Sequence, residues 1–147
     1  MMLREQTGRR RLLPIYIGNP EAAAIHYAVE GIIPARPLTH DLFRDVLTAL
    51  GASVERVVVT EMKEHTYFAE LHLVAAGQPL VVSSRPSDAV ALAVRIGCPI
   101  FATDEVLDAG GHEEEEAAEE ATPGTEEQIL AEFQDFIASV SPDDFAE

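Results

Sequence analysis

Hydrophobic and polar positions follow strand periodicity through the middle of the chain, then switch to helix periodicity. Thr66 to Val74 alternates, with Tyr67, Ala69, Leu71 and Leu73 on one side, the period-two pattern of a half-buried strand. Val54 to Met62 before it and Leu80 to Ser83 after it are rich in branched residues. Breaks at Lys63-Glu64-His65 and Gly77-Gln78-Pro79 predict that the three strands form an antiparallel meander. After Ser84 comes a helical run in which Ala89, Val90, Leu92, Val94 and Ile96 leave almost no polar face, so a buried central helix is expected. Arg95 apart, its polar groups are confined to the first turn, Arg85-Pro86-Ser87-Asp88. Cys98 to Ala102 predicts a short buried strand, and Thr103-Asp104-Glu105 starts a last turn of helix.

The N-terminal half reads less evenly. Leu12 to Ile17 predicts a strand, with Pro14 favouring an edge or the start of the strand because it lacks an N–H. Met2 to Glu5 is the stub of an earlier one. Asn19-Pro20-Glu21 is a helix start, with Asn as cap and Pro at the first helical position. That helix runs to about Glu30 and stops at Gly31. His26 shares a face with Ala22, Ile25 and Val29 and reads as packed in the core. After the loop from Gly31 to Pro37, Thr39 is expected to cap a helix with Leu42, Phe43, Val46, Leu47 and Leu50 inward, ended by Gly51. The expected fold is α+β: a mixed, largely antiparallel sheet packed with two or three helices.

Charge divides the chain into parts. All ten Lys and Arg, with half of the 26 Asp and Glu, lie in residues 1–110; the other half, and no Lys or Arg, lie in 111–147. A near-neutral body therefore carries a polyanionic tail, and such a body does not exclude nucleic acid. The expected organisation is a domain over 1–110, an acidic linker over 111–124 and a C-terminal helix and tail over 125–147. Thr125-Glu126-Glu127-Gln128 forms a capping box ahead of a stripe of Ile129, Phe133, Phe136, Ile137 and Val140. That stripe must pack on the body or on a second subunit, which raises the expectation of a homodimer. No apolar run is long enough to span a bilayer, and the first residues lack the apolar centre of a signal peptide. The single cysteine, Cys98, permits no internal disulfide and sits in an apolar setting as core. A cytoplasmic protein without membrane partners is the simplest expectation.

No P-loop, paired-cysteine motif, His-Glu-x-x-His or glycine-rich dinucleotide turn is present. What stands out is a doublet. Arg36-Pro37-Leu38-Thr39-His40-Asp41 and Arg85-Pro86-Ser87-Asp88 each run from Arg-Pro through a hydroxyl to an acid at a helix start. Arg36 and Arg85, with Thr39 and Ser87, are candidates for holding phosphate. Glu21, Asp41 and Asp88 offer the carboxylate oxygens that Mg²⁺ or Mn²⁺ prefers. His40, with Asp41 and Asp88, is the candidate catalytic group, since imidazole titrates nearest neutrality. Together they suit metal-assisted phosphodiester hydrolysis. The alternative for each residue is structural: Thr39 and Ser84 or Ser87 as caps, the acids as complements to the helix dipole, each Arg paired with an Asp.

These stretches resemble the bifunctional nuclease domain family. The resemblance rests on Leu13-Pro14-Ile15-Tyr16-Ile17-Gly18 with Glu21-Ala22, Arg36 to Leu42, Thr66-Tyr67-Phe68-Ala69, Ser84 to Ala89 and Pro99-Ile100-Phe101. They span residues 12 to 108 in the family's order, and Phe133 to Phe145 is similar to the end of a bacterial subgroup. The resemblance implies a nuclease acting on DNA, RNA or both. The rival expectation is a non-catalytic regulatory or interaction module that binds an anionic ligand or a partner. If the domain grips nucleic acid, the tethered polyanion competes for its arginines. Deleting residues 111–147 should then tighten binding, most visibly at low salt; equal affinities and equal salt slopes in a titration series would contradict this.

Overall fold

Two tight turns fold the centre of the chain back on itself. Glu64 and His65 stand at φ 48° and 61°, and Ala76 and Gly77 at φ 50° and 74°. Two successive positive-φ residues give the hairpin turn whose twist matches its strands. The turns join β3 (Ala52–Lys63), β4 (Thr66–Ala75) and β5 (Gln78–Ser84) into the expected meander. The computed structural model describes residues 1–113; the acidic linker beyond Glu113 and the C-terminal helix expected from the sequence lie outside the described residues.

Helix α3 (Pro86–Ile96) carries the chain from one edge of this sheet to the other. There β6 (Ile100–Ala102) pairs parallel with β3, giving the order β5-β4-β3-β6. A separate pair, β1 (Met2–Arg4) and β2 (Leu12–Pro14), runs antiparallel. Helices α1 (Asn19–Val29), α2 (Thr39–Ala49) and α4 (Asp104–Gly110) complete the domain. The class is α+β as expected, with four helices among the described residues. The stub at Met2 is a paired strand. The expected buried strand at Cys98 is instead a three-residue edge strand with Phe101 half exposed.

One face of the sheet carries the core, in two halves. Val54, Val57, Ala69, Leu71 and Leu73 pack on Ala89, Leu92 and Ala93 of α3. Val59 packs with Leu13, Ile15, Val106 and Leu107 of β2, its continuation and α4. The register shifts between Val54 and Arg56; this bulge lets Val54 and Val57, three residues apart, face the same side. Helix α3 is buried along Ala89–Ala93, as its all-apolar pattern predicts, and ends at Gly97 with φ 80°, where glycine meets no steric cost. Cys98 packs against this core, and burial pushes its thiol pKa up. It is a core residue and not an activated nucleophile.

The other two long helices depart from expectation. Neither α1 nor α2 contains a fully buried residue. His26 is exposed and tilts against Tyr27. On α2 only Leu47 joins the core, while Leu42, Phe43, Val46 and Leu50 stay exposed, Leu50 at 75%. The reason is competition for the sheet: α3 occupies its centre, so α1 and α2 dock on α3 and present their remaining apolar positions to solvent. Among the described residues no helix is long and apolar enough to cross a membrane.

An ion cluster centred on the buried Arg11 fastens the β1–β2 pair to α4. Arg11, 7% exposed, donates to both oxygens of Glu5 at 2.9 and 3.1 Å and to Asp108 at 2.6 Å. These bonds lower the Glu5 pKa to about 2 from 4.5. A carboxylate depressed on folding adds stability that is present above its unfolded pKa and lost as pH falls through the folded one. Melting temperatures should therefore show Glu5→Gln clearly less stable than wild type at pH 7. The gap should narrow below pH 4.5 and close near pH 2, whereas a pH-independent gap would assign the loss to packing.

Candidate functional site

Three helices begin at one place. The start of α1 is set by Gly18, extended at φ −73°, ψ 163°, with Pro20 behind it and Glu21 in the first turn. A Cβ at position 18 would collide with the Glu21 carboxylate, which folds back over the glycine. The start of α2 is Leu38, whose N–H donates to Asp41 Oδ2 at 2.9 Å. The start of α3 is Arg85, followed by Pro86, whose fixed φ suits the first helical turn. None of the three N-cap positions bears a hydroxyl, contrary to the expectation that Thr39 and Ser84 or Ser87 would cap. Each cap lies at a residue without hydroxyl chemistry, which leaves Thr39 exposed on a cleft wall.

Side chains from these first turns form a continuous chain. Arg85 Nε donates to Asp88 Oδ2 at 2.7 Å and Nη2 to Oδ1 at 3.0 Å, a two-pronged grip. Arg85 Nη1 reaches Glu21 Oε1 at 3.1 Å. On the other side Asp88 Oδ1 lies 3.2 Å from His40 Nε2. The order is Glu21–Arg85–Asp88–His40. Hydrogen bonding from Arg85 lowers the Asp88 pKa, with His40 contributing and partial burial opposing. Hydrogen bonding to Asp88 raises that of Arg85. An ionised carboxylate only accepts hydrogen bonds, so in its neutral form the His40 imidazole would donate from Nε2 and keep its lone pair on Nδ1. His40 is 15% exposed, enclosed enough to be held and open enough to be reached.

Two clefts flank Arg85. One, of about 610 Å³, is lined by Glu21, Tyr27, Thr39, His40, Arg85 and Asp88 among others. The other, of about 500 Å³, is lined by Tyr16, Glu21, His65, Tyr67, Arg85 and Ser87 among others. Both volumes suit a small organic ligand.

The structure thus brings together His40, Asp88, Arg85 and Glu21, with Thr39 beside them, and separates the rest. Asp41 turns away: its Oδ1 accepts from Arg95 Nε at 2.6 Å and its Oδ2 holds the Leu38 amide. Burial pushes its pKa up, but the Arg95 and Leu38 hydrogen bonds outweigh that and leave it lowered. The carboxylate set Glu21, Asp41 and Asp88 is therefore not assembled as one group. The guanidinium of Arg85 lies between the remaining two acids. Among the described residues no three His, Cys, Asp or Glu side chains gather in a way that could hold a metal ion. Ser87 is only 6% exposed and opens onto the second cleft, not the first. Arg36 stands exposed in the loop before α2, with no ion-pair partner among the described residues.

Sequence reasoning missed Arg95, Gly18 and Tyr16. Arg95 lies in the last turn of α3, 54 residues from Asp41, and nothing local pairs them. Tyr16 was legible in one respect: it falls between inward Ile15 and Ile17, so alternation points it outward.

An α+β domain with a histidine–carboxylate–arginine chain at converging helix starts is the class that fold and site define. The chain belongs to the bifunctional nuclease domain family, whose model matches residues 1–115. It is 46% identical to an uncharacterized protein of Mycobacterium tuberculosis, over 99% of this chain and 87% of that relative. It is 33% identical to Bifunctional nuclease 2 and 31% identical to Bifunctional nuclease 1 of Arabidopsis thaliana, each over 68% of this chain. The matched segment is 31% and 32% of those two plant proteins.

The Asp41–Arg95 pair is a structural clasp, since the Arg95 side chain is 4% exposed and that of Asp41 16%. Asp41→Asn strips a buried guanidinium of its charge partner and should cost about 3 kcal/mol, read as a lower urea midpoint. A variant of wild-type stability that has lost activity would return Asp41 to the catalytic set.

Proposed function

We propose that the protein hydrolyses phosphodiester bonds of DNA or RNA, with Glu21–Arg85–Asp88–His40 as its centre. The observation that carries this reading is the orientation of one imidazole by an ionised carboxylate, beside an arginine, where three helix starts meet. Family membership supports the same class of chemistry. In the reaction His40 Nδ1 takes a proton from water as the water oxygen attacks phosphorus. Asp88 holds the ring and stabilises the imidazolium that forms. The bond from phosphorus to the leaving oxygen breaks, and the imidazolium returns its proton to that oxygen. Arg85 and the Thr39 hydroxyl offset charge on the non-bridging oxygens. The three helix N-termini add their partial positive charge.

Glu21 and Asp88 are the carboxylates that would hold Mg²⁺ or Mn²⁺. They fit in ligand type, and Mg²⁺ accepts one or two carboxylates with water and phosphate oxygens for the rest. Such an ion would polarise a phosphoryl oxygen and acidify bound water. Asp41 takes no part, being committed to Arg95.

A second reading is favoured by the completeness of the pairing itself. Arg85 is satisfied by two acids and Asp88 by two donors, as in a clasp that only fastens helix starts. The domain would then be a binding module. Cleavage of labelled single strands and duplexes by metal-stripped protein, with Mg²⁺, Mn²⁺ or chelator added back, separates the two. His40→Ala should lower the rate by roughly 10²- to 10⁴-fold, and Asp88→Asn should lower it too, both with unchanged folding. Cleavage that persists in both variants, or none in wild type, overturns the assignment.

A further inference from the structure

Tyr16 has its side chain 98% exposed although both neighbours face inward. An exposed tyrosine alone means little. This one forms a wall of the second cleft, and that cleft shares Arg85 and Glu21 with the cleft holding His40 and Asp88. His65, in the left-handed β3–β4 turn, and Tyr67, at the start of β4, line the same cleft. Arg85 is the wall between the two, and its side chain is 66% exposed despite its ion pairs.

Resting on the nuclease reading, we propose that this second cleft is a nucleobase subsite, with Tyr16 as its stacking platform, and that the substrate is single-stranded nucleic acid. Three features carry this. First, an aromatic face free of packing is what an unpaired base requires, and a base inside a duplex has no free face to offer. Second, a strand lying across Arg85 places one phosphate at the guanidinium, its reacting side in the His40 cleft and the adjacent base in the Tyr16 cleft. Third, the volume of about 500 Å³ falls in the range of small-ligand pockets. The subsite reads the π-face that every base has, so it selects for strandedness and not for sequence. The sugar is not part of this contact, so RNA and DNA single strands share the chemistry.

The test is equilibrium binding of the full chain to labelled oligonucleotides of about ten nucleotides, RNA and DNA. Each is used intact, with abasic positions, and annealed as a duplex, and strand integrity is checked on gels. The chain has no Trp and three Tyr, so quenching of tyrosine emission gives a second readout independent of activity. Wild type should prefer the intact single strand. Tyr16→Ala should bind it between roughly 5- and 150-fold more weakly, lose its share of the quenching and no longer distinguish intact from abasic strands. Tyr16→Phe, which keeps the ring but not the tyrosine emission, should retain the affinity and the distinction between intact and abasic strands. Equal binding of intact and abasic strands by wild type, or wild-type affinity in Tyr16→Ala, overturns the subsite. If wild type still cleaves in that case, the nuclease reading stands without it. If wild type neither binds nor cleaves any strand, both fall together.

Discussion

The close packing of α3 against β3 and β4 fixes everything that follows it toward solvent. Ala89, Leu92 and Ala93 lie against Val57, Ala69 and Leu71 with essentially no exposure, and interiors of this kind tolerate little displacement. The first turn of α3 therefore emerges from the core at a set height and angle. Arg85 and Asp88, three residues apart on that turn, pair with each other and hold out one contact each: Arg85 to Glu21, Asp88 to His40. Helices α1 and α2 bury no residue completely. Their starts are placed by half-buried contacts on α3 and by these polar links. A rigid helix supplies the centre of the site, and two less anchored helices complete it.

The sequence made α3 and the meander legible because their signals are local and redundant. Period, branched residues and turn residues agree over Val54 to Ser84, and no polar face interrupts the run after Asp88. It also made the paired Arg-Pro helix starts visible. It could not say which acid of the two starts faces the cleft. Asp41 and Asp88 follow similar motifs, yet one meets Arg95 and the other His40; the difference is made by the opposite end of α3. Asn19, Thr39 and Ser84 or Ser87 are the cap-forming residues nearest the three helix starts, but the caps fall on Gly18, Leu38 and Arg85, one or two residues away. On α2 the amphipathic pattern was real, but a pattern specifies a face and not a partner. Once α3 held the sheet, Phe43, Val46 and Leu50 had no core left to join.

Arg85 is the centre of the cluster, bound from two sides by the carboxylates of Glu21 and Asp88. In the paired arrangement it neutralises Glu21 and Asp88 and keeps Asp88 ionised, which in turn holds His40 in the tautomer with Nδ1 free. On the proposed function, a substrate phosphate would have to compete with two acids for the same guanidinium, and contacts of the strand on both sides of Arg85 would offset that cost.

On the proposed function, the same two acids would also be the ones to hold a divalent cation. Both already accept hydrogen bonds from Arg85, so an ion held there would set its charge against that of the guanidinium. The pairs that fasten the three helix starts therefore also work against a cation, and two carboxylates beside an arginine would hold one firmly only with phosphate oxygens completing the set.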